Sequence, residues 1–432
     1  MTTGVGTKVQ SLPAAAPVEL GFSAARIRVL LGALQDEIDR KRLPGAVALI
    51  ARQGKIALFE SLGSQVPVTP AHGSAQASAQ AEAPAPGPTP MARDSLFRIY
   101  SMTKPVVSVA VMMLVEQGKL LLSDPVHKHL PEFAAQQVMT TASASMTNVQ
   151  AASQLAPVQR AATVQDLLRH TAGLTYEFLG NNPVQKLYTQ ARIRTDLRER
   201  SNAEFSATLA TLPLIAEPAT VWEYSRATDV LGRLVEVISG QTLRAYLQDH
   251  IFAPLGMTDT DFSVPPEHHH RIAEPFARDP DGAPRMRVFN ARESAAFESG
   301  GGGLVSTAMD YARFLQFMLN RGELDGVRLL GPRTVDFMTA DHMGAIPVNA
   351  GGSSNLLLPG YGFGLGFAVR TALGIASEPG SVGLYYWGGL AGTTFFVDPV
   401  EDLFGILMIQ APNQREHYRH LFRNMVYAAL VD

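Results

Sequence analysis

The most constraining feature of the sequence is an almost wholly apolar segment at residues 106–117. This pattern predicts a buried helix. The segment is too short to span a bilayer, which needs about 20 apolar residues. The chain has ample material for a core around such a helix, because 46% of its 432 residues are hydrophobic and 17% are charged. The sequence therefore predicts a soluble globular protein built around this helix.

Ser101 and Lys104 stand just before that segment, three residues apart. Residues at this spacing lie on one face of a helix, which brings a hydroxyl and an amine within hydrogen-bonding reach. The helix N-terminus carries partial positive charge and favours a developing alkoxide on Ser101. Burial favours the neutral amine of Lys104, and a neutral amine accepts the serine proton. The alternative is a capping serine followed by a surface lysine, because Ser-x-x-Lys is a short pattern.

Charge and composition exclude several classes of protein. The net charge of -3 argues against a nucleic-acid partner. The absence of cysteine excludes disulfides, thiolate metal sites and a cysteine nucleophile. Residues 1–20 lack a basic region followed by an apolar core, so we expect no secretory signal. A cytoplasmic protein without a membrane partner is the resulting expectation.

The predicted elements indicate an α+β protein. A helix is expected at residues 22–38, opened by Ser23, and another at residues 227–239, ended by Gly240. A hairpin is expected at residues 46–60, turning at Gln53-Gly54. Further strands are predicted at residues 363–370, 384–387, 393–397 and 404–409, followed by a helix at 414–430. These strands predict an antiparallel sheet flanked by helices.

Because the strands come from both ends of the chain, we expect two lobes. Residues 21–118 and 300–432 are predicted to form an α/β lobe after a tail at residues 1–20, and residues 119–299 an inserted, mainly helical lobe. Residues 64–92 contain too few large apolar side chains to fold by themselves, which predicts a flexible insertion. The polar stretch at residues 136–159 is predicted to be a second loop.

Two further segments carry candidate site residues. Tyr224 precedes a predicted helix, where its hydroxyl can enter a cleft and shuttle a proton, and a nearby cationic lysine would favour its ionisation. Gly388 and Gly389 follow Trp387 on a predicted strand, where they let a substrate approach the strand edge. A backbone N–H there, together with that of Ser101, would form an oxyanion hole. The alternatives are a packing tyrosine and an edge strand with a buried tryptophan.

The histidines suggest weaker hypotheses. His268, His269 and His270 are adjacent, which suits one metal ion poorly, and the prolines before them indicate an exposed loop. We therefore expect no metal site and no cofactor. His170 is a candidate base, but with Lys104 available it is interpreted as a residue at a helix end.

Taken together, these motifs resemble the serine β-lactamase-like superfamily, which includes penicillin-binding proteins. The resemblance is nearest to family VIII carboxylesterases, which are similar in fold to class C β-lactamases. It spans residues 22–431 apart from the two low-complexity stretches, and it rests on three motifs in the order of the family: Ser101-Met102-Thr103-Lys104, Tyr224-Ser225 and Trp387-Gly388-Gly389. The absence of a Gly-x-Ser-x-Gly pattern excludes the nucleophile elbow of α/β-hydrolases.

The resemblance implies a role for each matching residue. Ser101 would be the nucleophile, Lys104 its base and Tyr224 a proton-transfer partner. The N–H groups of Ser101 and Leu390 would form the oxyanion hole, and Trp387 stands where β-lactamases have a lysine. A tryptophan cannot pair with the carboxylate of a penicillin, although Arg226, in place of a family asparagine, would partly replace that charge.

These observations predict a serine carboxylesterase that hydrolyses short- to medium-chain esters of small molecules through an acyl-enzyme. Three alternatives stay open. The same chemistry serves an acyltransferase that passes the acyl group to an alcohol, or a weak β-lactamase or peptidase. A non-catalytic scaffold on this fold is the least favoured, because all three motif positions are intact. The oligomeric state is not predicted.

Overall fold

The computed structural model describes residues 11–67, 88–140, 154–196, 198–284, 286–351 and 353–432. Within them an antiparallel sheet of eight strands runs in the order β10-β11-β12-β13-β14-β1-β2-β3. The strands are β1 Gly45–Arg52, β2 Lys55–Val66, β3 Thr89–Pro90, β4 Phe97–Arg98, β5 Gln137–Met139, β6 Leu155–Pro157, β7 Val305–Ser306, β8 Glu323–Leu324, β9 Val327–Arg328, β10 Tyr361–Phe363, β11 Ala368–Arg370, β12 Tyr385–Gly388, β13 Thr394–Asp398 and β14 Leu403–Ile409. The predicted α+β class is confirmed.

Helices cover the sheet and form the rest of the core. They are α1 Ala24–Asp39, α2 Thr103–Glu116, α3 Val164–Leu168, α4 Pro183–Gln190, α5 Asn202–Ala210, α6 Ala227–Ser239, α7 Leu243–Leu247, α8 Ala253–Leu255, α9 Ala308–Leu319, α10 Pro332–Met338 and α11 Arg415–Ala429. Helices α1 and α11 pack against each other, and α9 packs on β1 and β14. None of the helices in the described ranges has the length and apolar character needed to cross a membrane.

The predicted hairpin begins the sheet. Gln53 and Gly54 have φ angles of 54° and 71°, the left-handed pair that suits the twist of a two-residue hairpin turn. Every residue of β1 is buried, because this strand pairs with β2 on one side and with β14 on the other. The two ends of the chain therefore share one sheet, as the strand pattern predicts.

The structure corrects several local predictions. The strand predicted at residues 363–370 is two strands, β10 and β11, because Gly366 has a φ of 102° and lets the chain reverse. Strands β2 and β3 extend into the segment at residues 64–92 that was expected to be flexible, and residues 68–87 of it lie outside the described residues. The stretch at residues 136–159, predicted to be a loop, contributes the paired strands β5 and β6, and residues 141–153 of it lie outside the described residues. The histidines at 268–270 lie in a 3-10 helix rather than a loop.

The predicted apolar helix is α2, and its residues from Thr103 to Leu114 are all buried. It packs against α6 and α7, which belong to the part of the chain between the two groups of sheet strands. Ser23 caps α1, and Gly240 ends α6 with a φ of 74°, both as predicted. The division into two lobes stays a proposal.

Candidate active site

Ser101 lies in a single 3-10 turn, Tyr100–Met102, that leads directly into α2. The turn is clamped on both sides, because the Ile99 N–H donates to Leu304 O at 3.1 Å and the Tyr311 hydroxyl donates to Met102 O at 2.9 Å. Tyr100 has a φ of 43°, a backbone conformation that residues other than glycine rarely adopt. The structure thus places the predicted nucleophile at the N-terminus of the buried helix.

Lys104 is fully buried in the first turn of α2, with three polar neighbours around its amine. Its Nζ atom lies 3.3 Å from Ser101 Oγ, 2.9 Å from the Tyr176 hydroxyl and 2.7 Å from Gly301 O. Burial lowers the pKa of Lys104 to about 7, with a smaller contribution from the positive charge of Arg226. Both features expected for a base, contact with the serine and a depressed pKa, are present at this residue.

Asp229 fixes the carbonyl that contacts the lysine. Its Oδ1 atom accepts hydrogen bonds from the Gly301 N–H at 2.9 Å and from the Ser299 hydroxyl at 2.6 Å. A Cβ atom at position 301 would lie 2.9 Å from Asp229 Oδ2, so the glycine allows this close approach. The negative charge of Asp229 also raises the pKa of Lys104 and partly opposes the effect of burial.

Tyr224 lies on the other side of the serine. Its hydroxyl hydrogen-bonds with Ser101 and accepts a hydrogen bond from Trp387 Nε1 at 3.1 Å. Lys104 Nζ lies 4.5 Å from the centre of the Tyr224 ring. Burial raises the pKa of Tyr224, and it outweighs the hydrogen bonds with Ser101 and Trp387 and the positive charge of Arg419, which lower that pKa. The expected easier ionisation of the phenol is therefore wrong. The raised pKa favours the neutral phenol, whose proton can point toward Ser101.

Trp387 lies beside Tyr224, and its indole N–H donates a hydrogen bond to the Tyr224 hydroxyl. The two glycines after it face other parts of the protein. A Cβ atom on Gly388 would lie 2.6 Å from Arg419 Cζ, and one on Gly389 would lie 2.4 Å from Ile99 O. Close packing of the protein's own groups therefore accounts for both glycines. Leu390 follows them and lines the same cavity as Ser101.

Arg226 does not supply the missing charge of the β-lactamase lysine. Its guanidinium is buried, and its Nη2 atom lies 2.8 Å from Glu177 Oε1 and 2.9 Å from Glu177 Oε2. Its Nη1 atom donates to Thr195 Oγ1 at 2.6 Å. The arginine is therefore neutralised within the wall of the site, and the expectation that it replaces that charge is wrong.

His170 is buried among aromatic rings, and its Nδ1 atom lies 3.1 Å from Ser225 Oγ. Burial holds the pKa of His170 well below its usual value, with a smaller contribution from Lys104. Its ring centre is 4.9 Å from that of Tyr224, so the histidine supports the tyrosine ring. This environment favours its interpretation as a structural residue rather than the base.

A cavity of about 640 Å³ opens over these groups. That volume is in the range of small-molecule sites. Its walls include Ser101 and a set of mainly apolar side chains: Phe178, Leu179, Met286, Leu356, Leu358 and Tyr386.

A family model described as Beta-lactamase matches residues 30–429. The chain belongs to the beta-lactamase family. Protein Rv1367c of Mycobacterium tuberculosis is 36% identical over 326 residues, which are 74% of this chain and 79% of that protein. Esterase EstB of Burkholderia gladioli is 33% identical over 413 residues, 91% of this chain and 92% of EstB.

A similar solved structure is that of EstCE1, described as a hydrolase with promiscuous acyltransferase activity. Its TM-score is 0.73 at 26% sequence identity, and the match covers 93% of this chain and 98% of EstCE1. The predicted beta-lactamase fold is confirmed, and the chain is a serine hydrolase of this beta-lactamase family whose chemistry is ester hydrolysis or acyl transfer. The narrower assignment to family VIII stays a prediction.

The sequence analysis did not identify three residues of the candidate site. Tyr176 contacts the lysine, Asp229 holds Gly301, and Arg419 contacts Gly389. Arg419 had a signal, because arginines at 415, 419 and 423 recur every four residues and share one face of the last helix. Tyr176 belongs to no local sequence motif, and only the tertiary structure brings it to Lys104.

Proposed function

We propose that this protein is a serine carboxylesterase that hydrolyses short- to medium-chain carboxylic esters through an acyl-enzyme on Ser101. The observation that carries the proposal is the environment of Lys104. A neutral amine has two N–H donors and one lone pair. Gly301 O accepts only, and the Tyr176 hydroxyl can accept the second N–H, at 2.7 and 2.9 Å. The lone pair is then left for the proton of Ser101.

Acylation follows from this arrangement. Ser101 Oγ attacks the ester carbonyl carbon as its proton passes to Lys104 Nζ. The carbonyl oxygen becomes negative, and the N–H groups of Ser101 and Leu390 are proposed to donate to it. The adduct then re-forms the carbonyl and breaks the bond to the alcohol oxygen. The leaving alkoxide takes up the proton held on Lys104, with the Tyr224 hydroxyl as relay.

Deacylation uses the same groups in the second half of the cycle. Water replaces the alcohol, gives its proton to neutral Lys104 and attacks the acyl carbon, and Ser101 leaves with the proton. Trp387 supports both halves, because its indole N–H occupies a lone pair of the Tyr224 oxygen and leaves the phenol proton free.

The walls of the cavity favour one class of substrate. Trp387 stands where the resemblance to β-lactamases places a lysine, so that positive charge is missing. Arg226 is already paired with Glu177. These two features favour a neutral acyl group over a β-lactam carboxylate. We expect slow hydrolysis of a chromogenic cephalosporin relative to p-nitrophenyl butyrate.

Acyl transfer is the second candidate. The cavity of about 640 Å³ has room for an alcohol beside a short acyl chain. EstCE1, a structural neighbour, is described as having promiscuous acyltransferase activity. Product analysis with added alcohol separates the two activities, because a transferase forms a new ester in place of the free acid.

The test of the proposal is labelling with a fluorophosphonate together with a panel of p-nitrophenyl esters. We expect label on Ser101 and loss of at least about a thousandfold in kcat for Ser101→Ala with the fold retained. The matched control is Ser108→Ala, since Ser108 is buried on the same helix outside the proposed site. A folded Ser101→Ala enzyme that keeps a tenth of the rate would refute the mechanism, and absent labelling would favour the scaffold alternative.

A further inference from the structure

Arg419 of helix α11 reaches across to the strand that carries Trp387. Its Nη2 atom donates to Gly389 O at 2.5 Å, and its Nη1 atom donates to Glu416 Oε1 at 2.8 Å. Its side chain is only 18% exposed. The guanidinium lies against Gly388, where any Cβ atom would displace it. A cation that is largely shielded from solvent thus donates to one backbone carbonyl beside the site.

That carbonyl belongs to the peptide that joins Gly389 to Leu390. No cis peptide occurs among the described residues, and in a trans peptide the C=O and the N–H point in opposite directions. Gly389 O also accepts a hydrogen bond from the Gly392 N–H at 3.1 Å, within the turn that joins β12 to β13. Two donors, Arg419 and Gly392, therefore fix the direction of this carbonyl toward that hairpin. The Leu390 N–H must then point to the opposite side, away from the hairpin.

The same loop is locked to the nucleophile segment. The Gly389 N–H donates to Thr393 O at 2.7 Å, and the space beside Gly389 is filled by Ile99 O. Ile99 stands two residues before Ser101. The two N–H groups proposed for the oxyanion hole therefore belong to segments in direct contact, with Arg419 behind one of them.

A cationic donor also strengthens the peptide that it contacts. Hydrogen bonds to charged groups are roughly twice as strong as neutral ones, and a polarised C=O makes the N–H of the same peptide a better donor. Arg419 thereby acts on both the direction and the strength of the Leu390 N–H.

We propose that Arg419 is a positioning residue that aligns the Leu390 N–H for the oxyanion. This inference rests on the proposed function, because it assumes that an oxyanion forms at Ser101. It assigns a role in the reaction to the last helix, whose residues do not touch the nucleophile in any contact described above.

The test compares Arg419→Met with Arg419→Lys. Removing an oxyanion donor outright costs on the order of a hundredfold or more in kcat. Loss of alignment should cost less, so we expect about a tenfold fall in kcat for Arg419→Met with KM within about twofold. Affinity for a boronic acid, whose tetrahedral adduct carries the negative charge, should fall by a similar factor. Arg419→Lys should recover part of the rate, because lysine still donates to Gly389 O.

The matched control is Arg233→Met. Arg233 pairs with Glu236 three residues later on α6 at 3.0 Å, as Arg419 pairs with Glu416, but it lies outside the walls of the cavity. Loss of this charge should leave kcat within about twofold. Melting temperatures establish that each variant is folded. If Arg419→Met is unfolded, the kcat of Arg419→Lys is the test, and a kcat equal to that of the wild-type enzyme refutes the role of Arg419.

The outcomes separate the two proposals. A wild-type enzyme that is not labelled at Ser101 by a fluorophosphonate refutes the proposed function itself. With Ser101 labelled, an unchanged kcat in folded Arg419→Met, or a loss that appears only in KM, refutes the role of Arg419 alone. An equal loss in Arg233→Met would show a general charge effect and also refute it.

Discussion

The pH dependence of kcat/KM should follow the protonation of Lys104. Burial lowers the pKa of this amine to about 7, and below that pH the amine is charged and has no lone pair for the serine proton. At pH 5 only about 1% of the amine is neutral, so kcat/KM should be roughly a hundredfold below its value at high pH. The rate should therefore rise as the pH climbs through about 7. Because the free enzyme determines kcat/KM, this limb reports the site before substrate binds.

Two buried charges near Lys104 should move this limb in opposite directions. Asp229 raises the pKa of Lys104 and Arg226 lowers it. Asp229→Asn should shift the limb to lower pH by roughly half to one pH unit, and Arg226→Met should shift it to higher pH. Asparagine keeps an oxygen for the bonds from Ser299 and Gly301, so the geometry beside the lysine is retained.

The assay is the initial rate on p-nitrophenyl butyrate, followed at the isosbestic wavelength of the product so that detection does not depend on pH. Lys104→Arg should be nearly inactive, because a guanidinium does not give up its proton. Lys128→Arg is the control, since that lysine is 54% exposed and pairs with Asp124. An active Lys104→Arg enzyme, or a limb that does not move in either neighbour variant, would show that another group is the base.

Three further outcomes are expected. Trp387→Phe removes the N–H that holds Tyr224 and should lower kcat about tenfold at nearly constant melting temperature, and an unchanged kcat would contradict that role. Gly389→Ala should lower both melting temperature and kcat, because its Cβ would lie 2.4 Å from Ile99 O, whereas Gly32→Ala, with nothing within 4 Å, should not destabilise the protein. In a panel of acyl esters, kcat/KM should fall beyond about eight carbons, because methylenes that extend into solvent gain little, and a steady rise to palmitoyl esters would refute this.

The sequence predicted the parts of the site that are local. Ser101 and Lys104 share one helical face, so their contact follows from spacing alone. The strands and the last helix were predicted because their apolar runs are long or alternate clearly. The single strand expected at 363–370 was wrong, because three-residue strands joined by a turn have the same composition as one longer strand.

The remaining parts depend on contacts between distant segments. Tyr176 lies 72 positions from Lys104, and no sequence spacing links an isolated tyrosine to a lysine at that distance. The state of Tyr224 was mispredicted for the same reason. Its pKa depends on how completely the fold buries it, and burial outweighs the hydrogen bonds and the charge of Arg419 that lower the pKa. Arg226 likewise has a partner, Glu177, that only the tertiary structure reveals.

The strand order has a consequence for synthesis of the chain. Strand β1 lies between β2 and β14, so the middle of the sheet joins an early segment to a late one. Until residues 403–409 have left the ribosome, β1 keeps one open edge, which readily pairs with other chains. Pairings across such long sequence separations also form slowly. Chaperone protection of the nascent chain therefore matters more for this topology than for one with local pairings. The site around Ser101 and Lys104 is complete only after the final helix has been synthesised.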